Sequence, residues 1–230
     1  MNIAAILAGG SGNRAGGGIP KQFTKVCGKS VMEYTIDVFN SHPLIDSIIV
    51  VGRSDTLDII QSIVDRCHYQ KVHHIVSGGK ERYESSIAAL ALCDSPNDVI
   101  LFHDCARPLV SSRIITDCIN AMESYDAATV AIPCSDTIYM SSTEGYIRSI
   151  PPRSSLMNAQ TPQCFRVHTI SDSYKTGLSS KDFIPTDDCS VVFNYGNDIP
   201  IKIIEGEARN IKITYKEDFE LMERILKHGI

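Results

Sequence analysis

The sequence carries no excess of positive charge: Lys and Arg total 22 against 27 Asp and Glu, a formal net charge of −5. A general nucleic-acid binder advertises a basic face, so nucleic acid is not an expected partner. Any phosphate site must instead be a local concentration of Arg and Lys. None of the eight cysteines forms a C-x-x-C pair, which argues against zinc-ribbon and thioredoxin-like readings. The cysteines are scattered and mostly fall in apolar runs, where a thiol serves as a small buried hydrophobe. No apolar run is long enough to span a bilayer, no signal peptide precedes Ile3, and no Asn-x-Ser/Thr sequon occurs. The expectation is a protein of the reducing cytoplasm with no membrane partner. Internal repeats and low-complexity segments are absent too. What is present, 43% hydrophobic and 21% charged residues over 230 positions, is the make-up of one ordinary globular domain spanning 1–230.

The most informative stretch is the opening one, Ile3 to Phe23, IAAILAGGSGNRAGGGIPKQF. A short apolar run bounded by glycines reads as a buried strand. The glycines that follow let backbone N–H groups form an anion-binding concavity. Arg14 and Lys21 add two positive charges, so the simplest reading is a phosphate cradle at the end of a first strand. Three known loops compete for it. Gly10-x-Gly12-x-x-Ala15 fits the dinucleotide fingerprint, but that fingerprint opens directly into a helix, which Gly16-Gly17-Gly18-Ile19-Pro20 forbids. Gly28-Lys29-Ser30 looks like the tail of a P-loop, but the required earlier glycine is Phe23. A nucleotidyltransferase loop needs glycines, then an arginine, then a lysine after proline, and all of these are present. A glycine-rich turn with no ligand leaves Arg14 and Lys21 unexplained.

Along the chain, strands are expected at Asn2 to Leu7, Ser47 to Val51, Lys71 to Val76, Val99 to Phe102, Ala127 to Ile132, Ile199 to Ile204 and Asn210 to Thr214. Helices are expected from Ser30 to Asn40, opened by a Ser30/Glu33 capping box, and over 54–67, 81–93, 111–124, 168–176 and 186–194. A second capping box, Thr214/Glu217, is expected to open the last helix. Alternating strands and helices predict an α/β fold, Rossmann-like, with a mainly parallel sheet flanked by helices. Residues 136–165 break the alternation and read as a protruding β-arm, a hairpin around Ser141 to Gly145. So little core cannot stand alone, so the arm should pack on something else.

LAGGSGNRAGGGIPKQF resembles the first motif of the cytidylyltransferases that activate alditol phosphates, and the likeness continues along nearly the whole chain. Two branches are known, 2-C-methyl-D-erythritol 4-phosphate cytidylyltransferase and ribitol-5-phosphate cytidylyltransferase. The resemblance implies an enzyme that moves CMP from CTP to an alditol phosphate and releases pyrophosphate, with Mg²⁺ carried mainly on the nucleotide phosphates and Asp104 nearby. It also implies a homodimer in which the arm embraces the second subunit.

The resemblance assigns residues as well. Arg14, Lys21 and Lys212 become the catalytic cations. Fixed positive charge suits an in-line attack on phosphorus, which builds charge on the phosphoryl oxygens. Lys212 on residue pattern alone would be an ordinary alternating strand position. Ala8, Gly9, Gly10 and Gly12 line the nucleotide loop. Gly79 and Ser85, within Gly78-Gly79-Lys80-Glu81-Arg82-Tyr83-Glu84-Ser85, take the role of base recognition. By residues alone that segment serves equally as a helix N-terminus with charge suited to the dipole. His103-Asp104-Cys105-Ala106-Arg107-Pro108 matches the family's HD-x-x-RP: Asp104 serves nucleotide and acceptor, and Arg107 pairs with the acceptor phosphate. An Asp104–Arg107 ion pair is the structural alternative, and His103 is read as structural. Thr137, Arg153 and Thr161 match arm positions that bind the acceptor, the last two reaching the other subunit's site. Thr186-Asp187-Asp188 matches a motif that supports the site. Leu7 to Gly10 and Ile19 to Phe23 are worded as in the ribitol branch, which makes D-ribitol 5-phosphate the favoured acceptor over methylerythritol phosphate. An NAD(P)-dependent oxidoreductase and a non-catalytic nucleotide-binding protein are the competing classes.

Overall fold

The computed structural model describes residues 1–10 and 20–229. Its centre is a seven-stranded sheet built from β1 (Asn2–Leu7), β4 (Ser47–Gly52), β5 (Val72–Ser77), β6 (Val99–Asp104), β7 (Ala127–Pro133), β10 (Met157–Arg166) and β11 (Ile201–Glu205). The spatial order is β11-β7-β10-β6-β1-β4-β5. Every pairing is parallel except those of β10, which runs antiparallel to both β6 and β7. The expected α/β fold with a mainly parallel sheet is therefore the one found.

Both faces of the sheet are buried at its centre, which is why β1, β4 and β6 read as continuous apolar runs. In β1, Ala4 and Ile6 point to one layer and Ile3, Ala5 and Leu7 to the other. The first layer holds α1 (Val31–Ser41), α2 (Leu57–Cys67) and α4 (Ser112–Ala121), through side chains such as Phe39, Ile60 and Ile114. The second holds α3 (Arg82–Leu90), α5 (Val167–Leu178) and α6 (Asp188–Tyr195), through Ala89, Ile170 and Val191. A smaller cluster of Val26, Val31, Leu109, Ile213, Met222 and Ile225 docks α7 (Glu217–His228) and the short hairpin of β2 (Lys25–Val26) and β3 (Lys29–Ser30). The Ser30/Glu33 capping box forms as expected: Ser30 N donates to Glu33 Oε2 at 2.7 Å and Glu33 N to Ser30 Oγ at 3.3 Å.

Four expectations need correction. The arm is shorter than 136–165, because β10 begins at Met157 and joins the main sheet. The exposed hairpin is only β8 (Met140–Ser141) with β9 (Ile147–Ser149) and its flanks. The antiparallel β10 gave no signal because Gln160, Thr161 and Gln163 interrupt its apolar pattern, yet all three are buried. Asn210 to Thr214 is not a strand: it runs as a loop, tied by Ile213 N donating to Ala106 O at 2.8 Å. Thr214 and Glu217 form no capping box. The Asp218 carboxylate instead accepts from Thr214 N at 2.6 Å and Tyr215 N at 2.7 Å. The fourth is α3, which stops at Leu90 rather than Cys93.

Candidate active site

Parallel sheets bind ligands in the crevice beyond the carboxyl ends of their strands, where neighbouring connections diverge. Here β1 is flanked by β4 on one side and β6 on the other. A pocket of about 240 Å³, open to solvent, lies at that point. Its walls come from the residues after β1 (Ala8, Gly9, Gly10), from the β5–α3 turn (Gly79 to Arg82, and Ser85), from the end of β6 (Asp104 to Ala106), and from Lys21 and Lys212.

Small residues make the walls possible. A Cβ on Gly78 would lie 2.2 Å from Ser85 Oγ, and one on Gly9 would lie 3.3 Å from the same atom. Ser85, itself buried, is thus seated between two backbone segments that carry no side chain. A Cβ on Gly79 would collide with the Glu84 carboxylate at 2.4 Å, and that carboxylate accepts from Glu81 N at 2.8 Å to start α3. Opposite, the buried Gln22 donates from Nε2 to the carbonyls of Ala8 (3.0 Å) and Gly10 (3.4 Å). That pins the 3-10 turn carrying Lys21 against the strand-end loop. Lys21 Nζ donates to Ile213 O at 2.7 Å, so one cation steadies the loop that carries the other.

The charges meet at Asp104. Lys212 Nζ lies 2.7 Å from Asp104 Oδ2 and Arg82 Nε 3.3 Å from Asp104 Oδ1. Burial alone would raise the Asp104 pKa. The Arg82 and Lys212 charges outweigh it and hold the carboxyl well below the usual carboxylate range. Behind Arg82, its Nη1 is paired with Asp188, whose side chain is fully buried. Beside Asp104, His103 is buried completely, and that burial lowers its pKa to about 4. Asp104 N donates to Thr161 Oγ1 at 3.1 Å, Thr161 Oγ1 lies 3.0 Å from His103 Nδ1, and His103 Nε2 lies 3.0 Å from Arg107 O. A neutral imidazole protonated on Nε2 satisfies the whole chain, which matches the structural reading of His103.

Of the residues expected to act, Ala8, Gly9, Gly10, Lys21, Gly79, Ser85, Asp104 and Lys212 share this pocket. Gly12 and Arg14 lie outside the described residues. Arg107 does not face the pocket: its guanidinium donates to the carbonyls of Asn210 (2.8 Å) and Ala159 (3.2 Å), so it ties β10 to the Lys212 loop. Thr161 is not on the exposed arm: it is buried in β10 and accepts from Asp104 N of its own chain. Thr137 and Arg153 are exposed on the arm, where Arg153 Nη1 donates to Ser135 O at 3.1 Å. Arg82, Gln22 and Tyr174 were not legible as site residues. Arg82 reaches a carboxylate 106 positions away, and no local pattern announces such a pair.

The family model for IspD, 2-C-methyl-D-erythritol 4-phosphate cytidylyltransferase, matches residues 2–228. The chain belongs to the IspD family of cytidylyltransferases. This cytidylyltransferase is 39% identical, over 99% of its length and 94% of its relative's, to the 2-C-methyl-D-erythritol 4-phosphate cytidylyltransferase of Thermobifida fusca. It is 38% identical to the bifunctional ribulose 5-phosphate reductase/CDP-ribitol pyrophosphorylase Bcs1 of Haemophilus influenzae, over 98% of this chain but 48% of that longer protein. The crystal structure of 4-diphosphocytidyl-2C-methyl-D-erythritol synthase from Anaerococcus prevotii superposes with a TM-score of 0.87 at 32% identity, covering 99% of this chain and 98% of that one. No described helix of the IspD-family chain is long and apolar enough to cross a membrane.

Enzymes of the family use a divalent metal ion. Among the described residues no cluster of three or more His, Cys, Asp or Glu side chains is arranged to hold one. The donor set fits an ion carried by nucleotide phosphates, faced by the pocket carboxylates Glu81 and Asp104, rather than one in a protein cage.

Proposed function

We propose that this enzyme transfers CMP from CTP to 2-C-methyl-D-erythritol 4-phosphate. The observation that carries the reading is the whole-chain match to the family of that name. It outweighs the double glycine at Gly9-Gly10, whose wording points toward ribitol 5-phosphate. That second acceptor keeps one observation in its favour, the 38% identity to a CDP-ribitol pyrophosphorylase.

In the proposed reaction an oxygen of the acceptor phosphate attacks the α-phosphorus of CTP. The bond from that phosphorus to the α,β-bridging oxygen breaks, and pyrophosphate leaves with the electron pair. Lys21, Lys212 and Arg14 stabilise the charge that builds on the phosphoryl oxygens. A bound divalent ion, Mg²⁺ in our reading, would neutralise charge on the nucleotide phosphates. The acceptor phosphate is already an anion, so no general base is required. The buried, neutral His103 agrees with that. The backbone of Ala8 and Gly79 and the hydroxyl of Ser85 read the cytosine edge. Gly9, Gly10 and Gly12 bring backbone close to the phosphates.

The acceptor is decided by measuring pyrophosphate release from CTP and Mg²⁺ with each alditol phosphate in turn. Release that depends on methylerythritol phosphate is expected. Release with ribitol 5-phosphate alone would transfer the assignment to the second reading.

We also propose a homodimer in which Thr137 and Arg153 bind the acceptor across subunits. Tyr139, Tyr146, Ile147 and Ile150 are each more than half exposed on the arm, an apolar surface that a partner subunit would cover. Mixing Arg153→Ala with Lys21→Ala, each inactive alone, is expected to restore activity through hybrid dimers carrying one intact site. Activity that stays at the level of the separate variants would count against shared sites.

A further inference from the structure

Four charged side chains form a chain of ion pairs that runs inward from the pocket wall: Lys212 on its loop, Asp104 on β6, Arg82 on α3 and, behind them, Asp188 on α6. A guanidinium opposite a single carboxylate prefers to grip it with two parallel donors. Arg82 does not. It turns Nη1 back to Asp188 and meets Asp104 Oδ1 through Nε at a long 3.3 Å. Lys212 takes the other oxygen of Asp104 at 2.7 Å. Asp188 itself is fixed by two further contacts, and one of those partners is anchored in turn. Tyr174 Oη donates to its Oδ1 at 2.7 Å, its backbone N donates to Gln163 Oε1 at 3.1 Å, and Gln163 Nε2 is tied to Asp187 at 2.6 Å. Its side chain is fully buried and it lies outside the pocket wall, so any effect it has on ligands passes through Arg82.

We propose that Arg82 is a positioning residue for cytidylyl transfer: drawn back by Asp188, it leaves one oxygen of Asp104 to hold the Lys212 ammonium at the pocket. The proposal rests on the cytidylyl-transfer reading of this site. Lys212 sits on a loop with no strand partners, and a long side chain on such a loop needs a fixed anchor if its charge is to meet a developing charge. Asp104, at the end of a central strand, is that anchor, and the Asp188–Arg82 pair sets which of its oxygens is available. Burial works against the Arg82 charge, but the two carboxylates hold it more firmly protonated than a free arginine, so its grip does not relax at any working pH.

The test is Asp188→Asn, a change of one atom outside the pocket. With the attraction behind it gone, Arg82 is expected to turn fully onto Asp104 and displace Lys212. A crystal structure of the variant should show Lys212 Nζ moved beyond hydrogen-bonding distance of Asp104. Turnover should fall by about 10- to 100-fold while KM for CTP stays within about threefold, the signature of a group that acts in the transition state. Arg82→Gln strands a buried carboxylate and endangers folding. The double variant Arg82→Gln/Asp188→Asn removes both charges, so its thermal midpoint should recover while kcat stays low. Three results would overturn the proposal: an unmoved Lys212–Asp104 pair in Asp188→Asn, a kcat within threefold of wild type in that variant, or recovery of kcat together with stability in the double variant. A wild-type protein that releases no pyrophosphate with either acceptor would defeat the activity reading, and the Asp188→Asn structure would then decide the positioning role on its own.

Discussion

Lys212→Ala is expected to lower kcat/KM by about 10³-fold, the scale seen when one preorganised donor to a developing oxyanion is removed. The loss should not come from unfolding. The Lys212 side chain is 43% exposed, and exposed ion pairs contribute about 1 kcal/mol or less. Asp104 keeps Arg82 when the lysine is gone, so no buried carboxylate is stranded. Thermal midpoint and CTP affinity should therefore stay near wild type while single-turnover pyrophosphate release collapses. A variant that retains more than a tenth of the wild-type rate would remove Lys212 from the mechanism. It would also place the needed charge on Lys21 or on Arg14.

Asp104→Asn should damage both turnover and stability. The carboxylate is nearly buried and sits between two cations. Its replacement frees Lys212 into the pocket but leaves Arg82 with Asp188 as its remaining partner. A loss of about 1–3 kcal/mol in unfolding free energy is expected, the scale of a lost hydrogen bond to a charged group. The pH dependence gives the sharper check. Because the folded pKa of Asp104 is depressed, its contribution is complete above the unfolded value of about 3.9 and disappears as pH falls through the folded one. Wild type and Asp104→Asn should therefore differ by a constant amount from pH 7 down to about pH 5, then converge in stronger acid. A stability difference that grows on acidification would show that the carboxylate is not held in its charged form.

Local pattern and chain geometry divide the information unevenly. The opening run Ile3 to Gly10 declares a buried strand with a glycine exit, because a strand covered on both faces must be apolar at every position. Ser30 and Glu33 declare the start of α1, because a capping box is closed within four residues. Gly9 and Asp104 were legible for the same reason, each following an apolar run that ends at one rim of a parallel sheet, whereas Gly79 follows the half-exposed Val72–Ser77 and owes its assignment to the family resemblance. Family resemblance, rather than pattern, singled out Lys212. The strand expected there does not exist, because Ile211 and Ile213 alternate as strand residues do while their loop finds no strand to pair with.

Tertiary structure alone decided the rest. Gln160, Thr161 and Gln163 read as polar arm residues, but the main sheet takes them in, since each finds partners there: Asn210, Asp104 N and Asp187. Arg107, which reads as a phosphate ligand, also donates from Nη1 and Nη2 to two backbone carbonyls that converge only when β10 and the Lys212 loop are in place. Arg82 reads as one more charge on a helix start. It becomes the centre of the site's electrostatics because folding brings Asp188, far along the chain, behind it. Neighbours along the chain suffice for the layered α/β class, the glycine walls and the helix starts. Which charges oppose one another depends on distances through space, and those are set by the packing of α3 and α6 against the sheet.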